Sequence, residues 1–422
     1  MRDRRPLRRL LTALLAVAAA APAVAGCARG GGDGTVRWFV FAEPSGAYQR
    51  IADSCTARSG GRWRIAVETL PTDSDTQRLL LVRRLVARDP AVDVIGLDVV
   101  WTAEFAEAGW LRDWESRRAE VTAGVLAGPL ATATYSGRLW AAPFTSNTQL
   151  LWYRRSRVPR PPSTWDELVA LAERLPPAER AVLVSGAAHE GLTVWFNSLL
   201  RSAGGSLVED ADDPATARPG LAAEPTRRAL AVMRRLATSP AADPSLAVAT
   251  SDDIRLAFQG GAPTFMVNYP VVYPSARMDA PEVFRDLAWA PYPAVGPGPA
   301  RPPLGGVNLG VSAFSRQPDL AFAAAECLRG PTNQRLAAIR GGLPPTVAAV
   351  YDDPAVRAQY PFGALLRDAI AAAAPRPATP AYHDVSLAVR RTLHPPSTVD
   401  PDRSGAALRE LVARALRSQA LL

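Results

Sequence analysis

Between Val36 and Asp98 the chain alternates three short strand-like runs with two stretches of helical spacing, and that alternation limits the fold more than any other feature. Val36-Arg-Trp-Phe-Val-Phe41 is aromatic and β-branched, residues 46–58 read as a helix, and Trp63 to Leu70 reads as a second strand. Leu79, Val82 and Leu85-Val86 recur at helical spacing, and Val92 to Leu97 is a continuous apolar run closed by Asp98. Strands alternating with helices predict an α/β fold of mostly parallel, doubly wound sheets whose ligands lie at the carboxyl ends of strands. Asp98 stands at one such end.

A second set of elements begins after Pro143. Leu150-Leu-Trp-Tyr153 is strand-like, and Thr164 followed three residues later by Glu167 is a capping box that opens a helix. Further helices are predicted near 191–203, 224–237 and 251–259, with surface loops at Asp210–Gly220 and Gly296–Pro303. Gly306–Ser312 and Pro318–Leu328 return to strand and helix. From Pro361 the pattern is mainly helical, with Leu408, Leu411, Val412 and Leu416 forming an apolar stripe. The absence of a 20–50-residue repeat disfavours a solenoid or propeller. With 422 residues the chain is long enough for two or three domains.

The formal charge of +8 looks like a nucleic-acid signal until it is located. Five Arg and one Asp fall in the first 26 residues, so about half of the excess sits in the leader. The remaining Arg residues are interleaved with acids, as in Arg83-Arg84 near Asp89, which describes solvated helix faces better than a phosphate-tracking stripe. Nucleic acid is therefore not an expected partner. Every basic residue is Arg, which a GC-rich coding bias explains as well as any selection does.

The leader has a basic start, an apolar run from Leu10 to Ala25 and then Val24-Ala25-Gly26-Cys27. The run is too short for a bilayer span and is interrupted by Pro22, so residues 1–26 read as a removable signal peptide. Small residues before Cys27 resemble the lipobox of bacterial lipoproteins, and the resemblance implies that Cys27 becomes the lipidated first residue. Residues 27–33 then form a flexible tether. Cys55 and Cys327 remain, and two thiols in an oxidising compartment favour one disulfide, although spacing alone does not show that they meet. With no CxxC, no HExxH and the three His residues far apart, no metal site or cofactor is expected.

Three strings carry a family resemblance. They are Asp93-Val-Ile-Gly-Leu-Asp98 running on to Trp110, Ala141-Ala-Pro-Phe-Thr-Ser-Asn147-Thr-Gln-Leu-Leu-Trp-Tyr153 with Pro161 to Leu168, and Gly341-Gly-Leu-Pro-Pro345. Their order and spacing resemble the extracellular solute-binding proteins of ABC sugar importers, in the maltose-binding branch. Within that family, Leu97 to Trp110, Asn147 to Arg154, Asn333-Gln-Arg335 and Arg376 to Tyr382 are similar to trehalose-binding lipoproteins. The resemblance implies a two-lobed, periplasmic-binding-protein-like fold of type II with three crossovers. Lobe one is expected at residues 34–143 and 294–341, and lobe two at 144–293 and 342–422. It also implies a monomer on the outer face of the membrane, anchored by its lipid, that hands a disaccharide, trehalose first, to permease subunits.

A neutral disaccharide offers hydroxyls and no charge, so its receptor needs acceptors, fork-shaped donors and an aromatic face. Asp98 fits at a strand end and matches a family ligand carboxylate; the alternative is an N-cap for the segment from Trp101. Asn147, among Thr145, Ser146 and Thr148, can both donate and accept, or can be a turn residue. Arg376, held extended by Pro377, is implied as a sugar-facing fork, against the alternative of a surface Arg. Gly342 and Leu343 match the family's loop at the last crossover. Glu43, after the first strand, stands in for a family Asp, and Asp253 and Tyr269 correspond loosely to a family carboxylate and aromatic, the alternatives for these two being an N-cap and a core aromatic. Asp75 and Gln77 are weaker candidates. A secreted glycoside hydrolase or transglycosylase would need two carboxylates flanking one bond, which Asp98 and Asp253 could supply on paper, yet no acid/base motif accompanies them. Binding, and no enzyme activity, is the expectation.

Overall fold

The computed structural model describes residues 34–43 and 45–418; the expected signal peptide, Cys27 and the expected tether lie outside the described residues. In chain order the strands are β1 (Thr35–Phe41), β2 (Arg64–Leu70), β3 (Val94–Asp98), β4 (Leu111–Arg112), the small ribbon β5 (Thr134–Tyr135) and β6 (Arg138–Leu139), β7 (Ala142–Asn147) and β8 (Leu150–Arg154). There follow β9 (Val182–Leu183), a second ribbon β10 (Val208–Glu209) and β11 (Arg218–Pro219), β12 (Phe265–Asn268), β13 (Leu287–Ala290) and β14 (Gly305–Ser312). Among the described residues these build two main sheets. The first has the order β2-β1-β3-β14-β4 with β7 added beside β14, and the second has the order β13-β8-β12-β9. The fold is therefore two-lobed α/β.

The parallel arrangement expected from the sequence holds for β2, β1 and β3. It holds also for β9 beside β12, but elsewhere it is corrected: β14 runs antiparallel to β3, and β8 is antiparallel to both β12 and β13. The reason is the route of the chain. It passes to the second sheet between Asn147 and Leu150 and comes back between Ala290 and Gly305, so β14 enters the first sheet from the opposite end. A strand re-entering from another lobe is not bound by the right-handed crossover that makes β-α-β strands parallel.

Each sheet is buried on both faces. In the second, alternation along β8 sends Leu151 and Tyr153 into one core with the helices Trp165–Ala172, Glu190–Ser202, Ala223–Thr238, Tyr382–Leu393 and Ser404–Leu416, while Leu150 and Trp152 enter another with Ser251–Gln259 and Gly363–Ala372. In the first, Trp38, Val40, Ile95 and Leu97 pack with Ile51, Leu81, Leu85 and Leu328 from flanking helices. Cys55, on helix Ala47–Arg58, forms a disulfide with Cys327, on helix Pro318–Arg329, with their Cα atoms 5.8 Å apart.

The cap at the Trp165 helix departs slightly from expectation. Thr164 Oγ1 accepts from Glu167 N at 3.1 Å, but Glu167 returns its carboxylate to Ser163 N at 2.8 Å, one residue before the position a capping box uses. Of the described helices, none is long and apolar enough to cross a membrane.

Candidate functional site

The carboxyl ends of β1 and β3 and the end of β7 face the start of helix Glu190–Ser202 and the end of β12 across a cleft of about 480 Å³. That volume is in the range of small-molecule sites, roughly 300–1,000 Å³. Asp98, Asn147, Tyr269, Leu343 and Arg376 line it together, drawn from five separate stretches of sequence.

Arg376 organises the chemistry. It lies between the helices Gly363–Ala372 and Tyr382–Leu393, in a segment held extended by backbone bonds: Ala374 N donates to Pro302 O at 2.9 Å. Its side chain is only 5% exposed, and it reaches both lobes: Nη2 donates to Asp98 Oδ1 at 3.2 Å and Nη1 to Glu190 Oε1 at 2.6 Å. Its Nε is buried and has no hydrogen-bond partner among the described residues.

Glu190 was not singled out in the sequence, and it is the hub of this network. Besides Arg376 it accepts from the Tyr382 hydroxyl, and its Oε2 accepts from Ser386 Oγ at 2.6 Å. The available signal was misleading, since an acid in the first turn of a helix is ordinarily explained by the helix dipole. Here the turn is already capped, with His189 Nδ1 accepting from Gly191 N at 2.8 Å. The sequence reading also passed over Phe41, Gln149 and Ser185, which line the cleft.

The electrostatics follow from burial. Burial raises the Asp98 carboxyl above its usual range, opposed by Arg376 and reinforced by Glu190. Burial works against the Arg376 charge, yet Tyr382, Asp98 and Glu190 together hold the guanidinium well above its ordinary value. The Tyr269 hydroxyl, which bonds to Gln149, is pushed up to about 12 by burial first. His189 is lowered, again by burial, so it presents a neutral ring at pH 7. The cleft thus offers carboxylate acceptors, one charged fork, amides, hydroxyls and neutral rings.

Of the other candidates, only Gln77 lines the cleft. Glu43 accepts from Ser45 N at 2.7 Å and Ala47 N at 2.8 Å, so its carboxylate is occupied at the start of helix Ala47–Arg58. Asp253 forms a capping box with Thr250 at the head of helix Ser251–Gln259; its neighbours Thr250, Ser251 and Asp252 line the cleft and it does not. Gly342 closes helix Pro331–Gly341 with φ 64°, a left-handed turn that delivers Leu343 to the cleft. Gln77 lines the cleft and donates to Thr72 O at 3.1 Å. Gly306, on the opposite wall, has φ 136°, and a Cβ there would meet Thr145 O at 2.2 Å, so only glycine allows β14 and β7 to approach this closely.

Asp75 has a different position. On helix Ser74–Val86 of the first lobe it accepts from Arg390 Nη1 at 2.6 Å and Nη2 at 3.4 Å, and Arg390 belongs to helix Tyr382–Leu393, packed on the second sheet. Burial raises its carboxyl, but Arg390, with His383 and His189 nearby, outweighs burial and holds it below the usual range. A carboxylate depressed in the folded state contributes stability that is present above its unfolded value near ~4 and is lost as pH falls through the folded value. Melting temperature measured from pH 6 downward is expected to fall more steeply in the wild type than in Asp75→Asn. Superimposable profiles would show that this pair adds nothing.

A two-lobed α/β protein with a polar, ligand-sized cleft between its sheets has the form of a solute receptor. The chain is a member of the bacterial extracellular solute-binding protein family, whose sequence pattern matches residues 64–335. It is 28% identical over 340 residues to a probable ABC transporter-binding protein of Deinococcus radiodurans, covering 78% of this chain and 79% of that one. Among solved structures it is similar to maltose-bound T. maritima MalE3, with 25% identity, a TM-score of 0.80, and coverage of 91% and 99% of the two chains. The Thermotoga lettingae solute-binding protein with bound α-D-tagatose shares the fold at 22% identity and a TM-score of 0.79, covering 90% and 99%. The protein is thus a bacterial extracellular solute-binding protein.

Proposed function

We propose that the protein captures trehalose or a related α-linked disaccharide between its lobes and delivers it to the permease subunits of an ABC importer. The observation that carries this reading is the Arg376 fork, buried between Asp98 and Glu190, all three of which line the cleft. Sugar hydroxyls both donate and accept, so one hydroxyl oxygen can accept from the guanidinium while its own proton is donated to a carboxylate. Maltose in one solved relative supports a glucose disaccharide as the ligand class. The lobes we infer are residues 34–143 with 294–341 and residues 144–293 with 342–422. A ligand touching both makes its full contacts only when they are closed and shifts the population that way.

Calorimetry of the mature protein against trehalose, maltose, sucrose and glucose tests the reading. The expected result is saturable binding strongest for an α-linked glucose disaccharide, with no free glucose released. Binding to none of these would sink the sugar assignment. Release of glucose, abolished by Asp98→Asn, would mark the protein as a glycosidase instead, although the Asp253 carboxylate is already engaged with Thr250.

We also infer anchoring through acylated Cys27 on the outer face of the cytoplasmic membrane. Cys27→Ala is expected to shed the protein into the medium or leave uncleaved precursor, read by fractionation and immunoblot. Wild-type protein found wholly in the soluble cytoplasmic fraction would refute anchoring.

A further inference from the structure

A second cavity of about 500 Å³ shares no lining residue with the cleft. Its walls are the end of helix Glu190–Ser202 with Ala203–Gly205, Arg228 from the next long helix, the loop reaching Arg301, and Ala373–Pro375. Three guanidinium groups converge there, from Arg201, Arg228 and Arg301.

Each of them gives one nitrogen to a backbone carbonyl. Arg201 Nη1 donates to Gly205 O at 3.3 Å, Arg301 Nη1 to Ala372 O at 3.3 Å, and Arg228 Nη2 to Ala203 O. A guanidinium has five N–H donors, so these bonds aim the forks without exhausting them. Opposing charge is scarce. Glu224 stands 3.8 Å from Arg228 Nε, whereas neither Arg201 nor Arg301 makes an ion pair among the described residues. Arg201 and Arg301 are both solvent-exposed residues on this groove, and partial burial of the Arg201 head group with the facing charge of Arg301 lowers the Arg201 guanidinium. Capping of carbonyls accounts for one donor per side chain and leaves this like-charge juxtaposition screened by solvent alone; an oxyanion compensates it directly and takes the spare donors in pairs.

We propose that this groove binds a phosphate-class oxyanion and that its occupancy alters affinity in the cleft. The coupling part rests on the function proposed above; the site does not. Its route is short, because the same two segments wall both cavities on opposite sides. Pro375 lines the groove and Arg376 lines the cleft; Arg301 lines the groove, and Gly305 and Gly306 line the cleft. The segments are bonded side by side, through Ala374 N to Pro302 O and through Leu304 N to Ala374 O at 3.3 Å, and Arg301 N is tied to Ser202 Oγ at 2.8 Å. An anion that draws the arginines together therefore displaces the segment that carries Arg376.

Inorganic phosphate is titrated calorimetrically into the mature lipoprotein in detergent, with ionic strength held constant by chloride. Saturable binding and a raised melting temperature are expected, weakened at least tenfold by Arg201→Gln with Arg301→Gln and unchanged by Arg83→Gln on an exposed helix face. The double variant removes mutual repulsion, so in chloride alone it is expected to melt no lower than the wild type. Trehalose affinity is then measured without phosphate and at saturation, with a change of threefold or more expected in the wild type and none in the double variant. Short-chain phosphatidylglycerol, titrated below its micelle concentration, distinguishes a lipid headgroup from free phosphate by whichever binds tighter. No saturable phosphate binding overturns the site, and equal binding by the double variant overturns its location. Trehalose affinity that ignores bound phosphate overturns the coupling. Should no sugar bind at all, the phosphate titration still decides the site.

Discussion

Arg376→Ala is expected to weaken disaccharide binding by a hundredfold or more and to lower the melting temperature. Deleting one member of a buried charge network costs on the order of 3–5 kcal/mol, because the remaining charges stay desolvated and unpaired. Here two carboxylates are stranded, on Asp98 and Glu190. Glu190 keeps its bonds from Tyr382 and Ser386, and Asp98 keeps, among the described residues, only Val100 N at 3.2 Å, so the loss falls mainly on the Asp98 side of the cleft. Arg376→Lys restores the charge but not the fork, and an ammonium cannot serve Asp98, Glu190 and a ligand oxygen in the geometry of a planar guanidinium. It is expected to recover most of the stability and little of the affinity. Asp98→Ala, which removes one charge-assisted acceptor, is expected to cost about 1.5–3 kcal/mol, or roughly ten- to a hundredfold in affinity. Arg83→Ala on an exposed face should leave both quantities unchanged. Calorimetry and thermal melts on the same preparations separate binding from folding. Wild-type affinity in a folded Arg376→Ala protein would remove this side chain from the ligand site.

Loss of the disulfide is expected to be the largest change in stability that leaves the cleft intact. Cys55 and Cys327 are 272 residues apart, so the bridge closes most of the described chain into one loop. In the chain-entropy picture a loop of that length is restrained by up to about 5 kcal/mol in the unfolded state, with roughly 2–4 kcal/mol typical of measured bridges. Cys55→Ser with Cys327→Ser, or reduction of the wild type, should therefore lower the melting temperature by several degrees. Disaccharide affinity should stay within about twofold, because neither helix end that carries a cysteine lines the cleft. Thiol titration of the denatured, unreduced mature protein should find neither Cys55 nor Cys327 free. Two reactive thiols, or melting unaffected by reduction, would refute the stabilising bridge.

Much of the architecture was legible because it is written locally. Alternation of β-branched runs with helical spacing located β1, β2, β3 and the helix between β1 and β2 to within two residues, and found the last two turns of helix Ser74–Val86 without its start, since strand and helix periods differ enough to be told apart in short windows. Asp98 could be placed at a strand end by the same means, and Arg376 in an extended stretch by the proline that follows it. The strand directions of β14 and β8 could not be read, because they depend on which lobe the chain is returning from. Asp253 and Glu43 show the limit from the other side. An acid near a helix start serves as ligand or as cap according to where its carboxylate points, and in both cases it points to backbone amides of its own segment.

Sequence alone determined the leading strand–helix alternation and the cleft residues whose position follows from the end of a strand or a loop, and its family resemblance implied the two-lobed class. Only tertiary structure decided that Arg376 sits between Asp98 and Glu190, residues 278 and 186 positions away, and that its Nε is buried without a partner among the described residues. The physical reason is that periodicity is a property of neighbours along the chain, whereas burial, charge pairing and an unsatisfied donor are properties of neighbours in space. Packing brings the latter together from segments that carry no local record of one another.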